Sequence, residues 1–314
     1  MPPTIRCAFD IGSGMTKMVT AAVEGGRVET LHSHEEELLL RGDVARSTDN
    51  TISAGMLARL RAEIARLRDV ALALGATQFT AAATAVFRTS ANGAAFLDAL
   101  SDELGMRIQV IAQELEAELG FLTAAALSAD SPTLVAWDSG GGSFQLTTRA
   151  VVGGGYDTFL GSVGASTSTA WLMELQGQDR KTAVSANPAS ADQLKALARQ
   201  IEESLPRAPA RLGRPGPLVA IGSAASAFHV AAEAVGKSRG ITLADLDAAI
   251  DKHTGWTDAQ LRDAGFESQT GMVLPKLALL RCVMRNSVAE GCGFDYVAAN
   301  GNCLGMLLLE KLWQ

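Results

Sequence analysis

The stretch AFDIGSGMTKMVTAAVE, residues 8–24, holds the pattern on which the reading of the fold turns. An apolar run closes on an acid, Asp10, and passes through Gly12, Ser13 and Gly14 to Lys17 and a second apolar run. That order reads as strand, tight turn, strand. Glycines let the chain reverse sharply and bring backbone N–H groups against anionic oxygens, so the same turn suits a phosphate. An acid at the strand end would repel phosphate directly. Its natural role there is to hold Mg2+ (or Mn2+) that bridges to the phosphate oxygens. Taken alone, a plain glycine hairpin is the simpler reading.

The pattern returns at TLVAWDSGGGSFQLTTRAVVGGG, residues 133–155, where Asp138 ends a strand and Gly140, Gly141, Gly142 and Ser143 make the turn. A third small-residue turn, LVAIGSAAS (218–226), sets Gly222 and Ser223 at a strand-to-helix junction, where helix N–H groups are available to another anion. The chain between these turns reads as helix over 51–74 with Ser53 as N-cap, strand over 78–87, helix over 91–104, strand over 107–112 and helix over 114–127. Beyond the second turn, helices are predicted over 165–175, 191–205, 243–250, 257–262 and 273–288, then a short strand over 296–300 and a closing helix over 303–314. The same strand and helix order run twice predicts an α/β fold of two domains, 1–127 and 128–314, with a cleft between them. The closing helix can return to pack on the first domain.

Composition bounds the function. The chain has 314 residues, 47% apolar and 19% charged, enough to bury a sizeable core. Lys and Arg total 27 against 34 Asp and Glu, a net charge of −7. No global positive field serves DNA, so a polyanion must be met by a local basic cleft. The apolar stretches break well short of the ~18 residues a membrane span needs, and the start, MPPTIR, lacks a signal core. A soluble cytoplasmic protein is the expectation. The four cysteines form no CxxC pair and read as reduced, buried thiols. His32 and His34 alternate along one strand with no third ligand nearby, so a metal site there is the lesser reading. Arg61, Arg66 and Arg68 read as a solvated helix face, and Arg207, Arg211 and Arg214 as an exposed loop.

Two Asp-Gly turns facing each other across the cleft, together with the third turn, resemble the actin, sugar-kinase and heat-shock ATPase superfamily, with actin-like (ribonuclease H-like) domains. Within it the chain is similar to the exopolyphosphatase and guanosine pentaphosphate phosphohydrolase family. TAVFRTSAN (84–92), VIAQELEAELGF (110–121), WDSGGGSFQL (137–146) and LGSV (160–163) carry that resemblance. The resemblance implies hydrolysis of a terminal phosphoanhydride of polyphosphate or a phosphorylated guanosine nucleotide. It makes Glu116 the group that orients or deprotonates the attacking water and Arg88 a phosphate contact. It gives Asp138 and Asp10 to the metal, and to phosphate the residues Gly12, Ser13, Gly14, Lys17, Gly140, Gly141, Gly142, Ser143, Gly222 and Ser223. Asn92 is read as bracing the Arg88 loop. Glu114, Glu116 and Glu118 read equally as solvated helix charges, and Lys17 as a strand residue pointing to solvent.

Departures from the family pattern are Gly14 for Asn, Gln145 for Glu, and NGNCLG (300–305) where members carry Asp-Gly and Arg. Gly14, Lys17 and Gln145 favour a second reading, an actin-like nucleotide- or polyphosphate-binding switch with weak or no hydrolysis. A homodimer is left open.

Overall fold

The computed structural model describes residues 3–129, 131–151, 153–179, 182–209, 212, 216–266, 270–288 and 291–313. The chain divides into two compact units, Met1–Thr123 with Ala299–Gln314, and Ala124–Ala298. The first unit runs β1 (Thr4–Ile11), β2 (Met15–Glu24), β3 (Arg27–Glu37), α1 (Leu40–Arg46), α2 (Ala54–Ala73), β4 (Gln78–Ala83), α3 (Ala85–Thr89), α4 (Gly93–Leu104) and β5 (Arg107–Val110), and then opens α5 (Gln113–Leu127). Its sheet has the order β3-β2-β1-β4-β5. The first two hairpins are antiparallel, and β1, β4 and β5 run parallel.

β1 is apolar nearly throughout because both of its faces are covered. Cys7, Phe9 and Ile11 pack with Leu60, Ile64 and Leu97 from α2 and α4. Ala8, on the opposite face, joins Val19, Ala21, Leu119 and Met306. Asp10 follows Ala8 by two residues and lies on that second face, the one acid in the strand. The predicted Ser53 cap is present, its Oγ accepting the Met56 N–H at 3.3 Å.

The second unit runs β6 (Val135–Ser139), β7 (Phe144–Arg149), β8 (Tyr156–Gly161), α6 (Ala165–Leu175), α7 (Ala191–Ser204), β9 (Leu218–Gly222), α8 (Ala227–Val235), β10 (Ile241–Thr242), α9 (Leu243–His253), α10 (Asp258–Asp263), α11 (Val273–Ser287) and β11 (Gly293–Ala298). Its sheet order is β10-β11-β9-β6-β7-β8. Read from the far edge, β8-β7-β6-β9-β11 repeats the first sheet's sequence of two antiparallel and two parallel pairings. Trp137 anchors the core, its ring edge-to-face with Phe228 at 5.1 Å and with Phe294 at 5.4 Å.

The chain then returns to the first unit through α12 (Cys303–Leu308) and a 3₁₀ turn at Glu310–Leu312. Arg6 grips Glu310 with two hydrogen bonds of 2.7 and 2.8 Å, and its guanidinium lies 4.9 Å from the Trp313 ring centroid. α12 approaches α5 closely: a Cβ added at Gly305 would lie 2.1 Å from the Leu119 carbonyl oxygen.

Two expectations are corrected. The closing helix over 303–314 is a six-residue helix followed by a 3₁₀ turn. The strand over 78–87 ends at Ala83, and Ala85–Thr89 is a short helix. Thr84 donates its N–H to the Ile11 carbonyl at 3.1 Å, which ends β4 beside β1 and frees the chain to turn. The leucines at 38–40 lead from β3 into α1, with Leu38 and Leu40 buried. Of the arginine-rich loop, Arg207 is exposed, while Arg211 and Arg214 lie outside the described residues. No helix among the described residues is long and apolar enough to cross a membrane.

The thiols are free, three of them buried and Cys292 half-buried. Burial pushes Cys7 and Cys282 up to about 12 and raises Cys303 well above its ordinary value. A disulfide reagent at neutral pH is therefore expected to titrate Cys292 rapidly in the native protein, and the other three only after unfolding. Gly305→Ala, which sets two helix backbones against each other, is expected to destabilise by about 1–3 kcal/mol in denaturant melts. Gly14→Ala, whose added Cβ meets nothing within 4 Å, is the neutral comparison.

Candidate active site

The two Asp-bearing turns share one construction. In the first, Asp10 stands directly across the ladder from Lys17, Ile11 from Thr16, and the Gly12 N–H donates to the Met15 carbonyl at 2.9 Å. In the second, Asp138 stands across from Gln145, Ser139 from Phe144, and the Gly140 N–H donates to the Ser143 carbonyl at 2.9 Å. Residues directly opposite in an antiparallel pair share a face. Lys17 is thereby beside Asp10, and Gln145 beside Asp138.

The carbonyl side of each turn is tied back. Leu38 N–H donates to Gly14 and Arg41 N–H to Ser13, at 3.0 and 2.9 Å. At the second turn, Ala165 N–H donates to Gly140 and Ser166 N–H to Gly141, at 3.0 and 2.9 Å, from the first turn of α6. Gly164 makes that approach available, since a Cβ there would lie 2.4 Å from the Gly141 carbonyl carbon. With the carbonyls engaged, what such a turn offers a ligand is its N–H groups.

Buried side-chain polar atoms without a partner gather at these turns. Ser13 Oγ, Asn300 Oδ1 and Asn302 Oδ1 are orphaned in the first unit, and Ser139 Oγ, Gln145 Oε1 and Thr167 Oγ1 in the second. Ser13, Gln145 and Asn302 are at most 5% exposed. Each such atom costs about 1–3 kcal/mol unless something polar meets it.

In the first unit, β1, β4 and β5 all end at one place. Ile111 N–H donates to the Ala83 carbonyl at 3.0 Å, just as Thr84 does to Ile11. The Asp10 turn, α3 and α5 therefore start together at the carboxyl ends of three parallel strands, the position where open α/β sheets bind ligands. α3 carries Arg88 and α5 carries Glu116. Arg88 Nη1 donates to Glu116 Oε2 at 2.9 Å and to the Ile111 carbonyl at 3.0 Å. Both bonds run through Nη1, which leaves Nε and Nη2 as donors.

The three acids of α5 separate by environment. Glu114 is exposed, Glu118 is paired with Lys311 at 2.7 Å, and Glu116 is 6% exposed against Arg88. A buried carboxylate needs a partner of this kind. Asn92 is taken by the backbone of Ile52, accepting its N–H at 2.9 Å and donating to its carbonyl at 2.8 Å. It braces the segment before α2.

The turn at residues 300–302, read as a lost basic contact, engages Asp10. Asn302 N–H donates to Asp10 Oδ2 at 3.0 Å, and Asn300 Nδ2 donates to the Met18 and His34 carbonyls at 3.0 and 3.2 Å. Gly301 has φ of +58°, and a Cβ there would lie 2.2 Å from Asp10 Oδ2 and 3.0 Å from Lys17 Nζ. Asp10, Lys17 and this turn are thus neighbours. The Asn-Gly pair was the available sequence signal.

Asp10 and Asp138 each give one carboxylate to their turn. A carboxylate has about four acceptor sites, and Asp10 uses one on Asn302. Mg2+ takes one or two carboxylates and keeps several waters, so one acid per turn beside orphaned polar atoms fits it.

At the third turn, Gly222 and Ser223 precede α8, capped by Ser226, whose Oγ accepts the His229 N–H at 3.1 Å. Their carbonyls accept from the Tyr296 hydroxyl at 3.1 and 3.4 Å. Sequence reasoning missed Lys276 here. It is 2% exposed within α11 and donates to the Ala225 carbonyl at 2.9 Å. Its signal was a single lysine inside VLPKLALL, a helix apolar all round.

His34 does have further ligand-type neighbours, one on its own strand and one on a helix. Glu36 and Glu63, the latter from α2, join it in a three-residue cluster, and His32 is not part of it.

Removing one partner of the Arg88–Glu116 pair leaves a largely buried charge uncompensated. Arg88→Met is expected to destabilise by about 1–3 kcal/mol, discounted for the guanidinium's partial exposure. Glu116→Gln, which keeps an acceptor, is expected to cost less. Denaturant melts of the two single variants and the double variant measure the coupling.

Comparison with known proteins gives the same direction. A model of the Ppx/GppA phosphatase family matches residues 18–262. An uncharacterized protein of Streptomyces coelicolor is 30% identical over 215 residues, 68% of this chain; the match spans 60% of that relative's length. Among solved structures, an exopolyphosphatase-like protein has a TM-score of 0.77 at 18% identity, covering 98% of both chains. The Aquifex aeolicus PPX-GPPA enzyme has a TM-score of 0.74 at 16% identity over 98% of this chain and 99% of that one. An exopolyphosphatase from Cytophaga hutchinsonii has a TM-score of 0.73 at 17% identity, over 97% and 96%. The likeness to these structures is one of fold. The extent of the family match settles membership: the chain belongs to the Ppx/GppA phosphatase family.

Proposed function

We propose that this protein releases terminal phosphate from a phosphoanhydride chain, either inorganic polyphosphate or guanosine pentaphosphate. The observation that carries the reading is the buried Glu116, held by Arg88 at the strand ends where the Asp10 turn begins. In phosphoryl transfer to water the protein positions the water and the phosphate and offsets developing charge. Glu116 orients the attacking water and takes its proton. The water oxygen bonds to the terminal phosphorus, the bridging P–O bond breaks, and the shortened chain leaves with the bond's electron pair. Arg88 keeps Nη1 on Glu116 and turns its remaining donors to the phosphate oxygens. Backbone N–H groups of Ser13 and Gly14, with Lys17, cradle phosphate at the first turn, which Gly12 closes through its own N–H bond to Met15. Gly141, Gly142 and Ser143 do so at the second, which Gly140 closes through its N–H bond to Ser143, and Gly222 and Ser223 do so at the third. Mg2+ or Mn2+, when bound through Asp10 or Asp138, supplies charge neutralisation at phosphate oxygens.

The switch reading, binding without turnover, draws on one observation. Gln145 puts a neutral amide beside Asp138, its Nε2 donating to Ser143 Oγ at 3.3 Å. The amide still offers an acceptor, Oε1, but carries no charge to polarise water.

Phosphate release from long-chain polyphosphate, tripolyphosphate, ATP and guanosine pentaphosphate, with and without Mg2+, separates the two. Turnover of a phosphoanhydride that falls about 10²–10⁴-fold in Glu116→Gln, with KM nearly unchanged, is the expected result. Nucleotide binding with no turnover of any of the four substrates contradicts hydrolysis and supports the switch. Full activity of Glu116→Gln removes Glu116 as the base.

A further inference from the structure

A second cation-binding constellation lies on the other face of the first sheet. β3 is the sheet edge, and its pleat sends His34 and Glu36, two residues apart, to one side. His34 pairs with Met18 and Glu36 with Thr16, and Met18 belongs to the core built with Leu60 and Ile64 of α2. That side therefore faces α2, which contributes Glu63.

His34 Nε2 lies 3.2 Å from Glu63 Oε1 and 3.9 Å from Glu36 Oε2. The three ligand atoms are all within 4.8 Å of one another. A tetrahedral ion with donors at about 2.0–2.2 Å holds them roughly 3.3–3.6 Å apart.

Arg66 marks where the ion would sit. Its Nη2 is 2.6 Å from Glu63 Oε1 and 3.1 Å from His34 Nε2, and its Nε is 2.9 Å from Glu63 Oε2. A guanidinium has donors only, so in the tautomer protonated on Nδ1 it meets His34 Nε2 at a lone pair. In that tautomer the lone pairs of Nε2 and Oε1 converge on one positive group. The same guanidinium holds the Glu63 carboxyl below the usual carboxylate range, against the opposing effect of burial. Arg66 is half-exposed and can leave to solvent without opening the core.

We propose that His34, Glu36 and Glu63 form a binding site for a zinc-class divalent cation, with Arg66 as the resident charge that the ion displaces. One imidazole nitrogen and two carboxylates select this class over Mg2+ or Ca2+, which take oxygen ligands. The ion would clamp the edge strand to α2. The proposal stands apart from hydrolysis, since none of its residues is assigned to the phosphate turns.

The test titrates the full chain with Zn2+ by calorimetry and with Co2+ by visible absorption, thermal melts confirming that each variant is folded. One saturable equivalent is expected, with a Co2+ spectrum of nitrogen and oxygen ligation. His34→Ala and Glu63→Gln are each expected to weaken it by about tenfold or more. His32→Ala leaves it unchanged, and Arg66→Ala tightens it severalfold by removing the competitor. Absence of saturable binding, binding that survives His34→Ala, or no gain in Arg66→Ala overturns the proposal. Glu116→Gln is expected to retain the wild-type Zn2+ affinity, so loss of hydrolysis and loss of this site are read separately.

Discussion

Each sheet turns on one short hydrogen bond, from the N–H two residues after an aspartate to the carbonyl three residues further on. It fixes the hairpin so that the aspartate meets its ladder partner seven residues later, Lys17 in one unit and Gln145 in the other. It also forces the intervening backbone into a tight loop of small residues. The segment after the third strand then binds the loop's carbonyls, Leu38 and Arg41 in the first case and the start of α6 in the second. What is left is a small-residue surface bearing the turn's remaining N–H groups, bordered by buried polar atoms that lack partners. Such a surface is costly unless an anion, its cation or water completes it.

The first unit builds the rest of its chemistry around that constraint. β1 delivers Asp10, while the ends of β4 and β5 place Arg88 and Glu116 on separate short elements that start beside it. Burial makes their ion pair obligatory, and the pair holds Arg88 through Nη1 alone, leaving its other donors unspent. The returning C-terminal segment adds the Asn302 N–H to Asp10, and only glycine fits at position 301. Asp10, Lys17 and Asn302 therefore behave as one charge-balanced group. That balance is a reason to expect the departures from the family pattern at residues 300–305 to change affinity more than fold.

Much of this was legible in the sequence, and the reason is local. Strand, acid and glycine turn are encoded within a few consecutive residues, so the two Asp turns could be read without tertiary information, and α2 by its Ser53 cap and apolar stripe. Glu116 could not be told from Glu114 or Glu118 by composition, because only burial beside Arg88 separates them. Lys276 looked like one charge on an apolar helix, its role set by the Ala225 carbonyl from a turn about fifty residues earlier. The cation cluster escaped because Glu63 belongs to a helix whose charges read as solvated, and its nearness to His34 is a property of the sheet edge. A short alanine run misled the strand end at Ala83 for the same reason: a strand stops where its neighbours stop.

The most direct test of the phosphate turns is a backbone amide map by NMR on titration with imidodiphosphate, a non-hydrolysable phosphoanhydride. The account expects the largest shifts at Ser13 and Gly14 and at Gly141 and Gly142. Saturable binding that leaves both sets of amides unmoved, with shifts confined to other segments, would contradict it.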